Sequence, residues 1–227
     1  MSEAHHRKIR SFVRRPGRTT HAQRRALDEL WPRYGIEPTD GFLDMQAVFG
    51  RSATVVLEIG FGNGEVLFTC AANHPEIDHL GIEVHEPGIG HLLMLLERAD
   101  LDNVRVVARD AVEVLSQQLD EASIDVARIF FPDPWPKKRH HKRRLLQGSF
   151  VADLARVLKP GGVLHIATDW ANYAEHMTEL MAASAGFESL TAEAAAADPL
   201  SVRPPTKFER RGRRLGHEVW DLYYRRV

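Results

Sequence analysis

Past residue 53 the hydrophobic pattern changes period again and again. Short β-branched or apolar runs, suited to strands, cover 54–59, 80–84, 104–108, 124–131, 163–168, 187–190 and 219–224. Longer stretches between them read as helices over 65–72, 87–99, 111–119, 145–158 and 172–185. Pro87 suits a helix start, where its missing N–H has no partner to lose. Lys159-Pro160-Gly161-Gly162 reads as a turn, and 192–197 is alanine-rich low complexity. Strands alternating with helices predict an α/β fold built on a parallel, doubly wound sheet. Ligands of such sheets bind outside the carboxyl ends of the strands. An acid stands at that end of each of the first five strands: Glu58, Glu83, Asp110, Asp133 and Asp169. Scattered surface acids would not be expected to fall there each time, so the regularity predicts a ligand site along that edge.

The N-terminal stretch is different. Residues 1–33 carry Arg7, Lys8, Arg10, Arg14, Arg15, Arg18, Arg24, Arg25 and Arg33 against Glu3, Asp28 and Glu29. Few core-forming residues lie at its start, which predicts a flexible basic arm running into a short helix over 22–30. A turn-rich connector with a short helix over 44–49 follows. The expected division is therefore arm and connector over 1–50 and one main domain over 51–227. The chain has 227 residues, 44% of them apolar, and a net charge of -1, so any nucleic-acid reading must rest on local clustering of charge. The single cysteine, Cys70, excludes an internal disulfide framework and a cysteine-rich zinc site, and suits a reducing cytoplasm. No apolar run approaches the length of a membrane span, and no hydrophobic segment follows the basic N-terminus as in a signal peptide. The expected location is the cytoplasm, as a monomer or homodimer.

Gly60-x-Gly62-x-Gly64 follows a strand and opens a helix, which permits a tight turn and close approach of backbone to a ligand. Glu83, at the end of the second strand, is spaced to accept from ribose hydroxyls. A dinucleotide site wants its third glycine one residue later; here Glu65 stands at that place, with Glu58 beside the loop. Two carboxylates would repel a pyrophosphate and attract an ammonium or sulfonium group. The pattern favours S-adenosylmethionine over NAD, although a nicotinamide-dependent oxidoreductase shares the fold. Asp110 suits both an acceptor for an adenine amino group and the N-cap of the next helix.

Pro132-Asp133-Pro134-Trp135 ends the fourth strand, and its prolines stiffen the backbone that presents Asp133 and Trp135. Trp135 reads as a stacking platform for a base or as a core residue. Lys137 to Arg144 then holds six Lys/Arg and two His in consecutive positions (Lys137, Lys138, Arg139, His140, His141, Lys142, Arg143, Arg144), beside the ligand edge of the sheet. That placement favours phosphate binding over a merely solvated face. His140-His141 lacks the partners of a metal site, and no metal is expected. Arg203, Lys207, Arg210, Arg211, Arg213 and Arg214 form a third basic cluster; the three clusters would line one face. A non-catalytic RNA-binding protein would keep those clusters but lose the acids after the strands.

Several of these motifs together resemble the bacterial tRNA (guanine-N7)-methyltransferases. They are Leu57-Glu58-Ile59-Gly60-Phe61-Gly62-Asn63-Gly64, Gly81-Ile82-Glu83-Val84, Phe131-Pro132-Asp133-Pro134-Trp135-Pro136-Lys137-Lys138-Arg139-His140, Thr206-Lys207-Phe208-Glu209 and Gly216-His217-Glu218-Val219-Trp220-Asp221-Leu222. The resemblance covers roughly residues 50–227, and the Pro-Asp-Pro-Trp-Pro-Lys-Lys-Arg-His run is its most specific part. It implies a mostly parallel, seven-stranded Rossmann-like methyltransferase sheet. It further implies that Glu58, Glu83, Asp110 and Asp133, with the glycines, contact S-adenosylmethionine. Lys137, Asp169 and Thr206 to Glu209 would contact the substrate, and Arg139 to Arg144 the tRNA. Asp133 is the implied catalytic residue, and the implied target is the guanosine at tRNA position 46, in the variable loop.

Overall fold

In a computed structural model, the residues described are 10–12, 18–37, 41–197, 200, 203–206, 209 and 218–227. Seven strands form one sheet in the order β3-β2-β1-β4-β5-β7-β6. They are β1 (Val55–Ile59), β2 (Asp78–Ile82), β3 (Val104–Val107), β4 (Ile124–Phe130), β5 (Leu158–Thr168), β6 (Phe187–Leu190) and β7 (Trp220–Arg226). The first five run parallel, and β7 enters antiparallel between β5 and β6. The expected seven-stranded, mostly parallel α/β sheet is the one found.

The helices are α1 (His21–Tyr34), α2 (Met45–Phe49), α3 (Glu65–Asn73), α4 (Glu86–Ala99), α5 (Ala111–Gln118), α6 (Gly148–Val157), α7 (Ala171–Ala182) and α8 (Ala192–Ala196). Side chains of a strand alternate between faces, so the two faces can be read separately. One is mainly apolar: Leu57, Ile59, Leu80, Ile82, Ala127, Ile129, Leu164 and Ile166 pack with Val114 and Leu115 of α5, Phe150 and Leu154 of α6, and Tyr173 and Met177 of α7. The other carries Val56, Val126 and Val163, then a buried polar row. Glu58 pairs in register with Arg128, and Arg128 with His165. These three are 3%, 1% and 0% exposed. The neighbour of Glu58 on β2 is Gly81, where a Cβ would meet Phe61 and Leu67 within 2.8 Å.

Helix α1 is longer than the pattern suggested and belongs to the core. Thr20 and Gln23 form a reciprocal capping box at its start. Ala26 and Tyr34 are buried against Ile89, Leu92, Leu93 and Leu96 of α4. Polar contacts fix the same pairing: Gln23 Nε2 donates to the Pro87 carbonyl at 3.0 Å, Arg25 pairs with Glu97, and Arg33 with Asp100 and Asp102. Arg25 and Arg33, counted among the cations of a basic arm, are therefore neutralised on the protein itself.

Two other boundaries moved. The expected turn at 159–162 is absorbed into β5, where a step from Ile124 to Val126 on β4 is matched by one from Leu158 to Val163. Gly161, at φ 81°, supplies the left-handed residue of this bulge, and Asp125 ties it down by accepting from Lys159 Nζ at 2.7 Å. Helix α6 starts at Gly148 rather than at 145, and a separate 3-10 helix over Lys138–Arg143 precedes it.

The N-terminus of α4 lies directly on the glycine turn. A Cβ at Gly88 would stand 2.0 Å from the Gly62 carbonyl oxygen. Gly88→Ala is expected to cost about 1–3 kcal/mol through overpacking, measured as a lower urea midpoint with unchanged slope.

Candidate active site

Gly60, Gly62 and Gly64 all have positive φ, at 74°, 58° and 74°, which a side chain would strain. A Cβ at Gly60 or Gly62 would nevertheless touch nothing within 4 Å, so the backbone there is bare toward open space. Gly64 differs: its Cβ would meet Leu92 at 2.7 Å, and it lines neither cavity described below. Expected as a cofactor contact, it serves the packing of α3 on α4. Glu83 shapes the turn, since its carboxylate accepts from Gly62 N (2.8 Å), Val84 N (2.6 Å) and His85 N (3.0 Å). Little acceptor capacity is left on it for a ligand.

Two cavities meet at this turn. One, about 570 Å³, is lined by Glu83, Asp110 and Asp133 and walled by Ser11, Phe12 and Thr19 of the N-terminal segment. The other, about 1340 Å³, is lined by Glu58, Glu65, Phe68 and Thr206. Gly60, His85, Phe130 and Phe131 border both. The acids expected to share one cofactor thus flank the glycine turn on two sides. Asp110 caps α5 by accepting from Val112 N at 3.1 Å, as one of its readings has it, and also lines the first cavity.

Glu58 lies inside β1 rather than past its end. Its Oε2 has no hydrogen-bond partner, nor do Nε and Nη1 of Arg128. Burial pushes the Glu58 carboxyl up to about 7, against the pull of Arg128 and Arg203. An orphaned buried carboxylate bordering a cavity, beside bare backbone, fits an adenosine ligand that carries a cationic amino-acid tail. It does not fit a pyrophosphate.

The turn after β4 is strained and braced. Phe131 (φ 52°) and Trp135 (φ 45°) are both in the left-handed region, bracketing Pro132, the exposed Asp133 and Pro134. Arg144, expected on the RNA surface, is 2% exposed. It donates to the Pro134 carbonyl at 3.1 Å and to Asn172 Oδ1 at 2.7 Å, and covers the Tyr173 ring at 4.7 Å. This makes it a brace for the turn. Trp135 is also engaged: its indole N–H donates to the Ser11 carbonyl at 3.0 Å, and Arg143 sits over the ring at 5.1 Å.

Lys137, Lys138, Arg139 and Lys142 are exposed, with His140, His141 and Arg143 half-buried. Partial burial, then Arg139 and Arg143, hold the His140 imidazole below its usual range. Asp169 is half-buried past β5, and beside it Trp170 is 41% exposed at the start of α7. Sequence reading passed over Trp170, although its place just beyond a strand end was a usable signal. Among the described residues no cluster of His, Cys, Asp or Glu could hold a metal ion.

In the C-terminal motif, Thr206 lines the second cavity and Lys207 and Phe208 lie outside the described residues. Glu209, expected to touch substrate, is 3% exposed and ion-paired with Arg203. Arg203 also donates to both oxygens of Asp221, at 3.0 and 3.1 Å. Its assignment to a basic RNA-facing cluster is therefore corrected, while Arg210, Arg211, Arg213 and Arg214 lie outside the described residues.

Because the folded-state pKa of Glu58 exceeds its unfolded value, folding takes up a proton. This stability is complete below the unfolded value and is lost as pH rises through about 7. Relative to Glu58→Gln, the wild type should lose about 3 kcal/mol between pH 4 and pH 8, measured by urea unfolding of both proteins at each pH.

Comparison with known proteins shows the family and the fold. A family model described as a putative methyltransferase matches residues 52–222. The tRNA (guanine-N(7)-)-methyltransferase of Alkalilimnicola ehrlichii is 56% identical, over 97% of this chain and 93% of its own length. That of Halorhodospira halophila is 54% identical, over 96% and 95%. Among solved structures, the 16S rRNA methyltransferase KamB shares the fold at a TM-score of 0.59 and 14% identity, over 86% of this chain and 99% of its own. A SAM-dependent methyltransferase from Aquifex aeolicus does so at 0.52 and 15%, over 81% and 88%. With this identity over nearly its whole length, the chain belongs to the tRNA (guanine-N(7)-)-methyltransferase family.

Proposed function

We propose that this protein transfers a methyl group from S-adenosylmethionine to N7 of a guanosine in tRNA, at position 46 of the variable loop, in the cytoplasm. The observation that carries the site assignment is continuity: the turn bearing Asp133 borders the cofactor cavity and leads directly into the exposed cationic 3-10 helix.

S-adenosylmethionine supplies an electrophilic methyl group on a sulfonium. Glu58 would take its ammonium group, Glu83 a ribose hydroxyl through its remaining acceptor site, and Asp110 the adenine amino group. Gly60 and Gly62 would give it bare backbone to approach. Guanine N7 presents a free lone pair, so no base need deprotonate it. The chain's contribution is positioning. Asp133 would accept from the N1–H and N2–H₂ of guanine, donors that adenine does not present in that pattern. Lys137, Asp169, Thr206, Lys207 and Phe208 would border the nucleoside. An A-form major groove is too deep and narrow for side chains to read, which favours a target in an open loop. Lys138, Arg139, His140, His141, Lys142 and Arg143 would grip phosphates around that loop.

Labelled methyl transfer to unmodified tRNA should yield 7-methylguanosine, and tRNA with adenosine at position 46 should yield none. Asp133→Asn should lower kcat by about 100-fold or more; full turnover would remove its role. The triple variant Lys138→Ala, Arg139→Ala, Lys142→Ala should weaken tRNA binding and flatten the slope of log Kd against log salt by about 2. Arg144→Ala should instead lower the melting temperature, because it unbraces the turn.

A further inference from the structure

We propose that Arg203 is a positioning residue for methyl transfer: acting through Phe131, it fixes the turn that presents Asp133. The proposal rests on the reading that Asp133 stands at the reaction centre.

The need for such a residue is visible in the backbone. Phe131, an aromatic residue, is held at φ 52° immediately before Pro132 and Asp133. Such a conformation costs about 1–3 kcal/mol and persists only where surroundings over-determine it. One restraint is the Phe131 N–H, which donates to the Ala167 carbonyl at 2.8 Å. That bond fixes the entry to the turn but not the direction of the ring. The ring packs against the cluster of Val66, Cys70, Phe130 and Ala167 and is held from the other side by Arg203, whose guanidinium lies 5.5 Å from the Phe131 centroid and 5.1 Å from that of Phe130.

Arg203 is itself immobile. Its side chain is 5% exposed, forked onto both oxygens of Asp221 and paired with buried Glu209. Asp221 is anchored in turn by His165 Nε2 at 2.7 Å. The His165 ring stacks on Tyr223 at 4.2 Å and meets Phe130 edge-on at 4.8 Å. A chain of contacts thus runs from β7 through Arg203 to Phe131, and Asp133 follows two residues further on. Phe131 borders both cavities, so a relaxed ring would displace the turn and the wall between them together. Lysine cannot substitute, because a point charge cannot fork onto Asp221, reach Glu209 and lie flat against two rings at once.

Kinetics of Arg203→Lys, with active sites counted by S-adenosylhomocysteine binding, test the proposal. The kcat per active site should fall by about 10- to 100-fold, while KM for S-adenosylmethionine and for tRNA changes by less than about threefold. In a Phe131→Leu background, Arg203→Lys should have little further effect on kcat. A role confined to folding would lower the melting temperature and the number of active sites but leave kcat per site intact, and that result would overturn the proposal. So would losses that multiply in the double variant. If Arg203→Lys does not fold, Asp221→Asn, which keeps the Glu209 pair, carries the same expectation. Asp133→Asn is assayed in parallel. Full turnover there removes the site assignment, whereas an inactive Asp133→Asn with an unimpaired Arg203→Lys removes the role of Arg203 alone.

Discussion

A carboxylate and a guanidinium buried side by side in the middle of a parallel sheet govern this molecule. Glu58 and Arg128 occupy neighbouring register positions, almost wholly out of water, with polar atoms on each left without hydrogen bonds. Such burial costs several kcal/mol per ion, and hydrophobic residues of like size would often be at least as stable. The central strands show that alternative on their opposite face, where Leu57, Ile59, Ala127, Ile129, Leu164 and Ile166 belong to the apolar core with α5, α6 and α7. The polar row is therefore confined to the face that borders the glycine turn and the cavities. The raised Glu58 carboxyl is the consequence of its burial, which outweighs the pull of Arg128 and Arg203.

Around that row the arginines divide into two physical classes. Arg128, Arg144 and Arg203 are buried or nearly so, each donating to carbonyls or carboxylates of the protein itself. Arg144 and Arg203 contact the strained turn, at Pro134 and Phe131, and Arg128 holds the Leu200 carbonyl. Arg139 and its lysine neighbours on the 3-10 helix are exposed, with their charge directed to solvent. Only the second class is available to a polyanion. A planar, always-charged side chain with five donors suits bracing as well as phosphate contact, so residue type alone does not separate the two uses. Arg144 is buried, while Arg143, its neighbour in sequence, is half-buried over the Trp135 ring.

Much of the site was legible in the chain. The alternation of strands and helices located the ligand edge, and the early third glycine with Glu58 and Glu65 pointed away from a dinucleotide. Asp110 was read as acceptor or cap and lies where both are possible. Other assignments failed for identifiable reasons. The resemblance implied that Arg144 touches tRNA and Glu209 substrate, and Arg203 was grouped with a basic cluster; Arg144 and Glu209 are buried, and the partners of Arg144 and Arg203 include Asn172 and Asp221, which no local pattern reveals. Gly64 was grouped with two ligand-facing glycines because all three share a turn, and only Leu92 on the next helix shows that it is a packing glycine. The turn expected at 159–162 became a bulge because β4 and Asp125 pair with it.

The sequence by itself determined the fold class, the row of acids along one edge of the sheet, the acidic character of the glycine turn and the location of the cationic block. Each of these follows from periodicity or from residues adjacent in the chain, where local sterics and charge decide. Tertiary structure alone decided which arginines are free and which are braces, and it placed Glu58 and Glu83 on two sides of the glycine turn. It also carried β7 between β5 and β6, bringing Asp221 to Arg203 and Arg203 to the turn of Asp133. Those outcomes depend on burial and on pairings between distant segments, and a charged side chain acquires its partner only when the sheet and the segments crossing it are assembled.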